Sequence, residues 1–140
     1  MSTCIITGAS GGIGRATSIR LAAEKMFEHL VLIGKSQSKL RETQEKMEHP
    51  EIAHILPLEL TKLKDIPRVI QSISSNYSDI QCLLNIAGYT DPQPLLQTTV
   101  ENLEQTYAVN VFAPIIMMRE CVRYMKKNKE TKIDELRAEY

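Results

Sequence analysis

Apolar positions along the chain switch repeatedly between two periods. Short continuous apolar runs suit strands buried on both faces, and they alternate with segments in which apolar residues recur every three or four positions, as on a helix with one covered face. The first run, Cys4 to Thr7 (CIIT), leads into glycines. From Ile13 to about Met26, the residues Ile13, Ala16, Ile19, Ala22, Ala23 and Met26 fall on one helical face. His29 to Gly34 (HLVLIG) predicts a second strand. Lys39 to Met47 predicts a helix with Leu40, Thr43 and Met47 on one side, ended by Glu48-His49-Pro50 because proline cannot continue it. Ala53 to Leu60 (AHILPLEL) reads as a third strand, and its Pro57 points to a sheet edge. Asp65 can cap a helix bearing Ile66, Val69, Ile70, Ile73 and Tyr77 on one face, with Pro67 in its first turn. Gln81 to Gly88 (QCLLNIAG) predicts a fourth strand, Tyr89 to Gln97 a loop, and Thr99 to about Lys127 a helix interrupted at Pro114.

The order β-α-β-α-β-α-β-α implies crossover connections and a parallel sheet. The expected fold class is α/β, a Rossmann-like doubly wound parallel sheet that stops after the fifth helix. The first and fourth strands should be neighbours at its switch point, where ligands bind beyond the strand ends. Residues 1–128 form the expected dinucleotide-binding domain, and residues 129–140 a charged tail.

Composition narrows the function classes. A chain of 140 residues fits one domain with a core of its own. Lys and Arg number 17 and so do Asp and Glu, so no basic excess points to nucleic acid. No apolar run approaches a membrane span, and no secretory signal precedes the first strand, so a cytoplasmic location is expected. Cys4, Cys82 and Cys121 are far apart and read as reduced, buried thiols. His29, His49 and His54 lack metal-ligand spacing and read as surface or loop residues, so no metal is expected.

The chemistry concentrates in Thr7 to Gly14 (TGASGGIG). Gly8 can end the strand in a tight turn, Gly12 can admit a pyrophosphate to the backbone, and Gly14 can let the helix pack close to the strand. The helix behind directs free N–H groups at the phosphates, and Ser10 adds a hydroxyl. Gly14 is followed by Arg15 and Ala16 rather than by Lys-Ser/Thr, which rejects a P-loop. About twenty residues past Gly14 the second strand ends in Gly34-Lys35-Ser36, with no carboxylate for a ribose 2′-hydroxyl. Lys35 can instead pair with a 2′-phosphate, helped by Ser36 and Arg15, so NADP is favoured over NAD.

Thr7-Gly8-x-x-x-Gly12-x-Gly14, Asn85-Ile86-Ala87-Gly88 and Asn110 within YAVNVFAP together resemble the short-chain dehydrogenase/reductase family, from the first residues to about Lys127. The resemblance implies that Thr7 braces the turn and that Gly8, Ser10, Gly12, Ile13 and Gly14 line the pyrophosphate. It implies that Lys35 meets the 2′-phosphate and that Glu59 and Leu60 lie near adenine, Glu59 standing where the family has the shorter Asp. Asn85, Ala87 and Gly88 would stabilise the sheet and border the nicotinamide ribose, and Asn110 would belong to the catalytic tetrad. Pro114 has no N–H to offer the Asn110 carbonyl four residues back, which would keep that carbonyl available for a water in the family's proton relay.

The implied chemistry is hydride transfer between a nicotinamide cofactor and a small-molecule carbonyl or alcohol, with a proton passed through the Tyr of a Tyr-x-x-x-Lys motif. No tyrosine of this sequence has a lysine four residues on: Gln81, Gln93, Val111 and Asn128 follow Tyr77, Tyr89, Tyr107 and Tyr124, and Tyr140 is last. The chain therefore reads as the cofactor half of such an oxidoreductase, not expected to turn over alone. The alternatives are a non-catalytic dinucleotide-binding or regulatory module, and an inactive truncation product acting by dimerisation. The apolar arc over 111–125 suggests a homo-oligomer in which that helix meets a second copy.

Overall fold

A computed structural model describes residues 2–77 and 79–127. The expected tail at 129–140 lies outside the described residues. Four parallel strands, β1 (Thr3–Thr7), β2 (His29–Gly34), β3 (Ala53–Pro57) and β4 (Ile80–Asn85), form one sheet in the order β3-β2-β1-β4. β1 thus lies between β2 and β4, as the alternating pattern requires. Pro57 ends β3 on the sheet edge, opposite Gly34 of β2, and its missing N–H breaks no ladder there.

Helices cover both faces, which makes the sheet doubly wound. One face packs Ile5, Val31 and Ile33 against Ile66, Ile70 and Ile73 of α3 (Ile66–Tyr77) and against Ala113, Met117 and Cys121 of α5 (Ala113–Lys127). The other packs Cys4, Ile6, Leu30 and Leu32 against Ala22 of α1 (Gly12–Ala23) and Leu40 of α2 (Gln37–Glu45). Each fully buried Ile or Leu contributes roughly 1.5–3 kcal/mol of transfer free energy, so these two layers hold the sheet.

The apolar periodicity finds only part of the buried face of α1, Ala22 and the half-buried Ile19. Gly14, Ser18 and Ala22 face the sheet, while Ile13 is 76% exposed and Met26, beyond the helix end, 57%. The cause is close approach: a Cβ on Gly14 would lie 1.9 Å from the Gly8 carbonyl oxygen. Only small side chains fit that contact, and Ser18 satisfies its hydroxyl by donating to the Gly14 carbonyl at 2.7 Å. Asp65 is not the cap of α3 either. It ends a short 3-10 turn, Leu63–Asp65, that runs straight into the helix, and its carboxylate stands 3.8 Å from Arg68.

His29 and His54 are strand residues rather than loop residues. His29 Nδ1 and His54 Nε2 are 3.0 Å apart, and the His54 ring stacks on Tyr77 at 4.1 Å. Burial, and secondarily the charge of His29, hold His54 below the usual imidazole range. Of the three cysteines, Cys4 and Cys121 are buried, but Cys82 is only half-buried. Among the described residues, no helix is long and apolar enough to cross a membrane, and no three His, Cys, Asp or Glu side chains gather as a metal site.

The last helical stretch begins at α4 (Val100–Tyr107), capped by a reciprocal pair: Thr99 accepts from the Asn102 N–H and Asn102 accepts from the Thr99 N–H. α4 and α5 are joined by a π-helical turn, Ala108–Phe112. The break expected at Pro114 thus falls one turn earlier, where the carbonyls that a proline cannot serve are located.

Candidate nucleotide-binding site

The carboxyl ends of β1, β2 and β4 open into a cleft of about 660 Å³. Its floor is the Gly8–Gly14 loop. Gly8 has φ +69° and Gly12 φ +52°, the left-handed region that glycine enters without strain. A Cβ on Gly8 would come within 2.7 Å of the Ala87 nitrogen, so that glycine is fixed by close approach as well as by conformation. Gly11 and Gly12 have open space where a Cβ would stand, on the side where a ligand would approach.

The start of α1 carries the donors. Its N-cap, Gly11, makes no side-chain cap bond, and its first turn holds no acidic residue. The first N–H groups of such a helix have no intrahelical acceptor and favour an anion. A pyrophosphate fits this cradle, in which backbone donors sit beside glycines that leave it uncrowded.

The loop is braced from behind. Thr7, 1% exposed, accepts from the N–H groups of Ile86 and Ala87, both at 3.1 Å, and so ties the end of β1 to the strap after β4. Ala9 donates to the Ile33 carbonyl at 3.1 Å. The Thr43 hydroxyl of α2 donates to the Ala9 carbonyl at 2.7 Å and accepts from Arg15 Nε at 3.0 Å. The Arg15 guanidinium also donates to the Ser10 carbonyl at 2.8 Å and to Glu42 at 3.2 Å. Arg15 is therefore committed to holding the loop, which corrects its expected help with a 2′-phosphate.

At the far end, Lys35 and Glu59 stand side by side, Nζ and Oε1 3.7 Å apart. The Lys35 side chain is 74% exposed and free to swing. Of the residues expected at the site, Gly8, Ser10, Gly12, Ile13 and Gly14 line the cleft on the loop side. Lys35, Glu59, Leu60, Ala87 and Gly88 line its other walls. Thr7 lies behind the floor. Ser36 caps α2, accepting from the Lys39 N–H at 3.4 Å. Asn85 ends β4 with its side chain exposed. Asn110, in the π turn, accepts from the Tyr89 N–H at 2.8 Å and donates to the Tyr89 carbonyl at 2.7 Å, clamping the strap beside Gly88.

Gly34, Gly11, Gln105 and Val109 are among the cleft residues outside the expected set. Gly34 is needed because a Cβ there would press on Leu40 at 3.0 Å and Ser10 at 3.2 Å; its place at a strand end was the available signal. Gly11 adjoins Gly12 on the cleft and falls outside the spacing of Gly8, Gly12 and Gly14. Gln105 and Val109 complete the wall from α4 and the π turn, and no pattern marked them.

A parallel doubly wound sheet with a glycine-lined, uncapped helix start at its switch point defines a fold of the Rossmann-like class, in which ligands bind at that point. The chain matches the family described as short chain dehydrogenase over residues 2–133, and it belongs to that family. It is 32% identical over 130 residues to glucose 1-dehydrogenase of Gluconobacter oxydans, an alignment covering 89% of this chain and 47% of that protein. It is 30% identical over 131 residues to an NADP-dependent 3-hydroxy acid dehydrogenase of Schizosaccharomyces pombe, covering 91% and 50%. A crystal structure of a short-chain dehydrogenase from Streptomyces avermitilis superposes with a TM-score of 0.78 at 24% identity, over 91% of this chain and 45% of the other. A metagenomic short-chain oxidoreductase solved with NADP gives 0.78 at 23%, over 89% and 56%. At those identities the structural likeness speaks for the fold. The chain spans about half the length of the curated relatives it matches.

Proposed function

We propose that the cleft binds NADP(H) and that this chain is the cofactor-binding half of a carbonyl- or alcohol-converting oxidoreductase. The observation that carries the reading is the uncapped start of α1 beside Gly11 and Gly12, with an exposed Lys35 at the end of the neighbouring strand. The α1 N–H groups hold the pyrophosphate, and Ser10 adds its hydroxyl. Lys35 leaves Glu59 to pair with the 2′-phosphate, Ser36 sits beside it, and Leu60 flanks the adenine. Ala87 and Gly88 border the nicotinamide ribose, and Asn85 steadies the strand end before them. The bound nicotinamide supplies the hydride. Asn110 fixes the Tyr89 backbone, and Pro114 withholds an N–H from its carbonyl, which favours a water there. The NADP-dependent relative supports this choice of cofactor.

Calorimetry on the 140-residue chain with NADPH and NADH tests the reading. NADPH is expected to bind more tightly, and Lys35→Ala to remove most of the difference. Binding of neither by a folded sample would overturn the nucleotide reading, and tighter NADH would overturn the role of Lys35. No turnover of carbonyl substrates is expected from this stretch alone. The non-catalytic readings draw support from the outer side of the last helices, where Tyr107, Val111, Ile115 and Met118 are exposed at helical spacing. That stripe favours pairing with a second copy, and sedimentation is expected to show a dimer that Ile115→Glu dissociates.

A further inference from the structure

The three cysteines have no spacing that suggests a pair, yet the fold brings two of them together. β1 and β4 run parallel as direct neighbours, and Cys4 is in register with Cys82 across seventy-eight residues of chain. The two side chains share one face of the sheet. Cys4 and Ile6 alternate onto the α1–α2 side along β1, and Cys82 and Leu84 onto the same side along β4. In-register neighbours on parallel strands place their Cα atoms within the span a disulfide bridges. The register also shifts between Thr3 and Cys4, so an irregularity beside the pair gives the backbone local room to adjust.

The two thiols differ as an attacking and a resolving thiol must. Cys82 is half-buried on a strand with a free edge among the described residues, whereas Cys4 is fully buried. The neighbouring Cys4 thiol draws the Cys82 thiol below its usual range against the opposing effect of burial. The same neighbourhood, with burial, pushes the Cys4 thiol up, so it stays protonated. The thiolate therefore forms on the side that a small oxidant can reach. Cys121 lies on the opposite face of the sheet, buried on α5.

We propose that Cys4 and Cys82 are a redox-modifiable dithiol that peroxide converts to a disulfide joining β1 to β4. The Cys82 thiolate attacks one oxygen of hydrogen peroxide; an S–O bond forms, the O–O bond breaks, and hydroxide leaves as water after taking up a proton. The Cys4 sulfur then attacks the sulfenic sulfur; the S–S bond forms, the S–O bond breaks, and the Cys4 proton departs with the oxygen as a second water. Two thiols are oxidised by two electrons and one peroxide is reduced to two waters. The bond would fasten the two strands whose ends carry Thr7 and the strap at Ile86 and Ala87. The proposal is independent of the nucleotide reading.

The test uses the full chain, reduced, freed of reductant, exposed to hydrogen peroxide and alkylated in denaturant. Trypsin places Cys4, Cys82 and Cys121 in separate peptides, 1–15, 69–119 and 120–123. The expected result is a non-reduced species joining 1–15 to 69–119, with Cys121 alkylated and the link lost on treatment with dithiothreitol. Chain unfolded in urea before oxidation should lose the preference for that pair. Cys82→Ser should leave Cys4 alkylatable after peroxide, and if that variant fails to fold, the wild-type peptide map decides. Cys4 and Cys82 both remaining alkylatable would overturn the proposal. So would Cys82 advancing to sulfinic acid beside an alkylatable Cys4, or a link formed only between chains.

Discussion

Replacing Thr7 with Val keeps the shape of a fully buried side chain and removes one oxygen. That oxygen accepts from Ile86 N–H and Ala87 N–H at 3.1 Å each and can donate to the Leu84 carbonyl at 3.4 Å. A buried donor left without its acceptor costs about 1–3 kcal/mol. The Ile86 N–H also donates to the Leu84 carbonyl at 3.1 Å and keeps that acceptor, so Ala87 is the donor left without one. Ala87 is half-buried and borders the cleft, so water can partly serve it, which puts the loss in the lower part of that range, about 1.5 kcal/mol. With a urea dependence of about 2 kcal/mol per molar, the unfolding midpoint should fall by about 0.7 M. Thr7→Ser retains the oxygen and loses one methyl, so its midpoint should stay within about half that distance of the wild type. Circular dichroism through a urea series reads both values. A Thr7→Val midpoint equal to the wild type, or a Thr7→Ser midpoint as low as that of Val, would show that the hydroxyl does not tie the strap to β1.

Three further substitutions separate folding from binding. Gly14→Ala puts a Cβ 1.9 Å from the Gly8 carbonyl oxygen and should destabilise the fold by about 3 kcal/mol or more, read in the same urea series. Gly11→Ala meets open space at an extended φ of −174° and should leave stability within about 0.5 kcal/mol while weakening NADPH about tenfold, since its methyl enters the pyrophosphate approach; unchanged affinity would move the phosphate elsewhere. Glu59→Gln removes the carboxylate that competes for Lys35. An exposed pair of this kind is worth about 0–1 kcal/mol, so NADPH should bind up to about five times more tightly by calorimetry, and weaker binding would mean that Glu59 itself holds the nucleotide. Acid should lower the melting temperature through His54. Its folded-state pKa lies below the ordinary value of 6.5, so below that pH the unfolded chain binds the extra proton and stability falls as pH drops through the folded value. Comparing melts at pH 7.5 and 5.5, His54→Phe should show the smaller drop, and an equal drop would assign the acid sensitivity to other groups.

How much the sequence discloses depends on what kind of contact does the work. Strand order, the α2 face of Leu40, Thr43 and Met47, and the α3 face of Ile66, Ile70 and Ile73 were legible because burial of large apolar groups leaves a period. The α1 face was legible only at Ala22 and Ile19, because elsewhere backbone meets backbone and the selected property is smallness: Gly14 and Ser18 do not stand out on a hydrophobicity scale. Period also tells which face a strand residue takes but not which distant residue lies across from it. The Cys4–Cys82 register, the His29–His54 bond and the hold of Thr7 on Ile86 and Ala87 all follow from that unreadable pairing. Site residues read singly fared in the same way. The glycine spacing located the loop beneath the cleft because Gly8, Gly12 and Gly14 each answer a local backbone or steric demand. Arg15 and Lys35, two cations near one expected phosphate, look equivalent along the chain. Folded, Arg15 is bound to Thr43, Ser10 and Glu42 and cannot leave without loosening the loop, whereas Lys35 gives up one exposed ion pair to move. Lys35 and Glu59, assigned separately to the 2′-phosphate and the adenine, meet each other first. If the cleft takes NADP(H) as proposed, nucleotide choice at this end becomes a competition between a resident carboxylate and an incoming phosphate for the Lys35 ammonium.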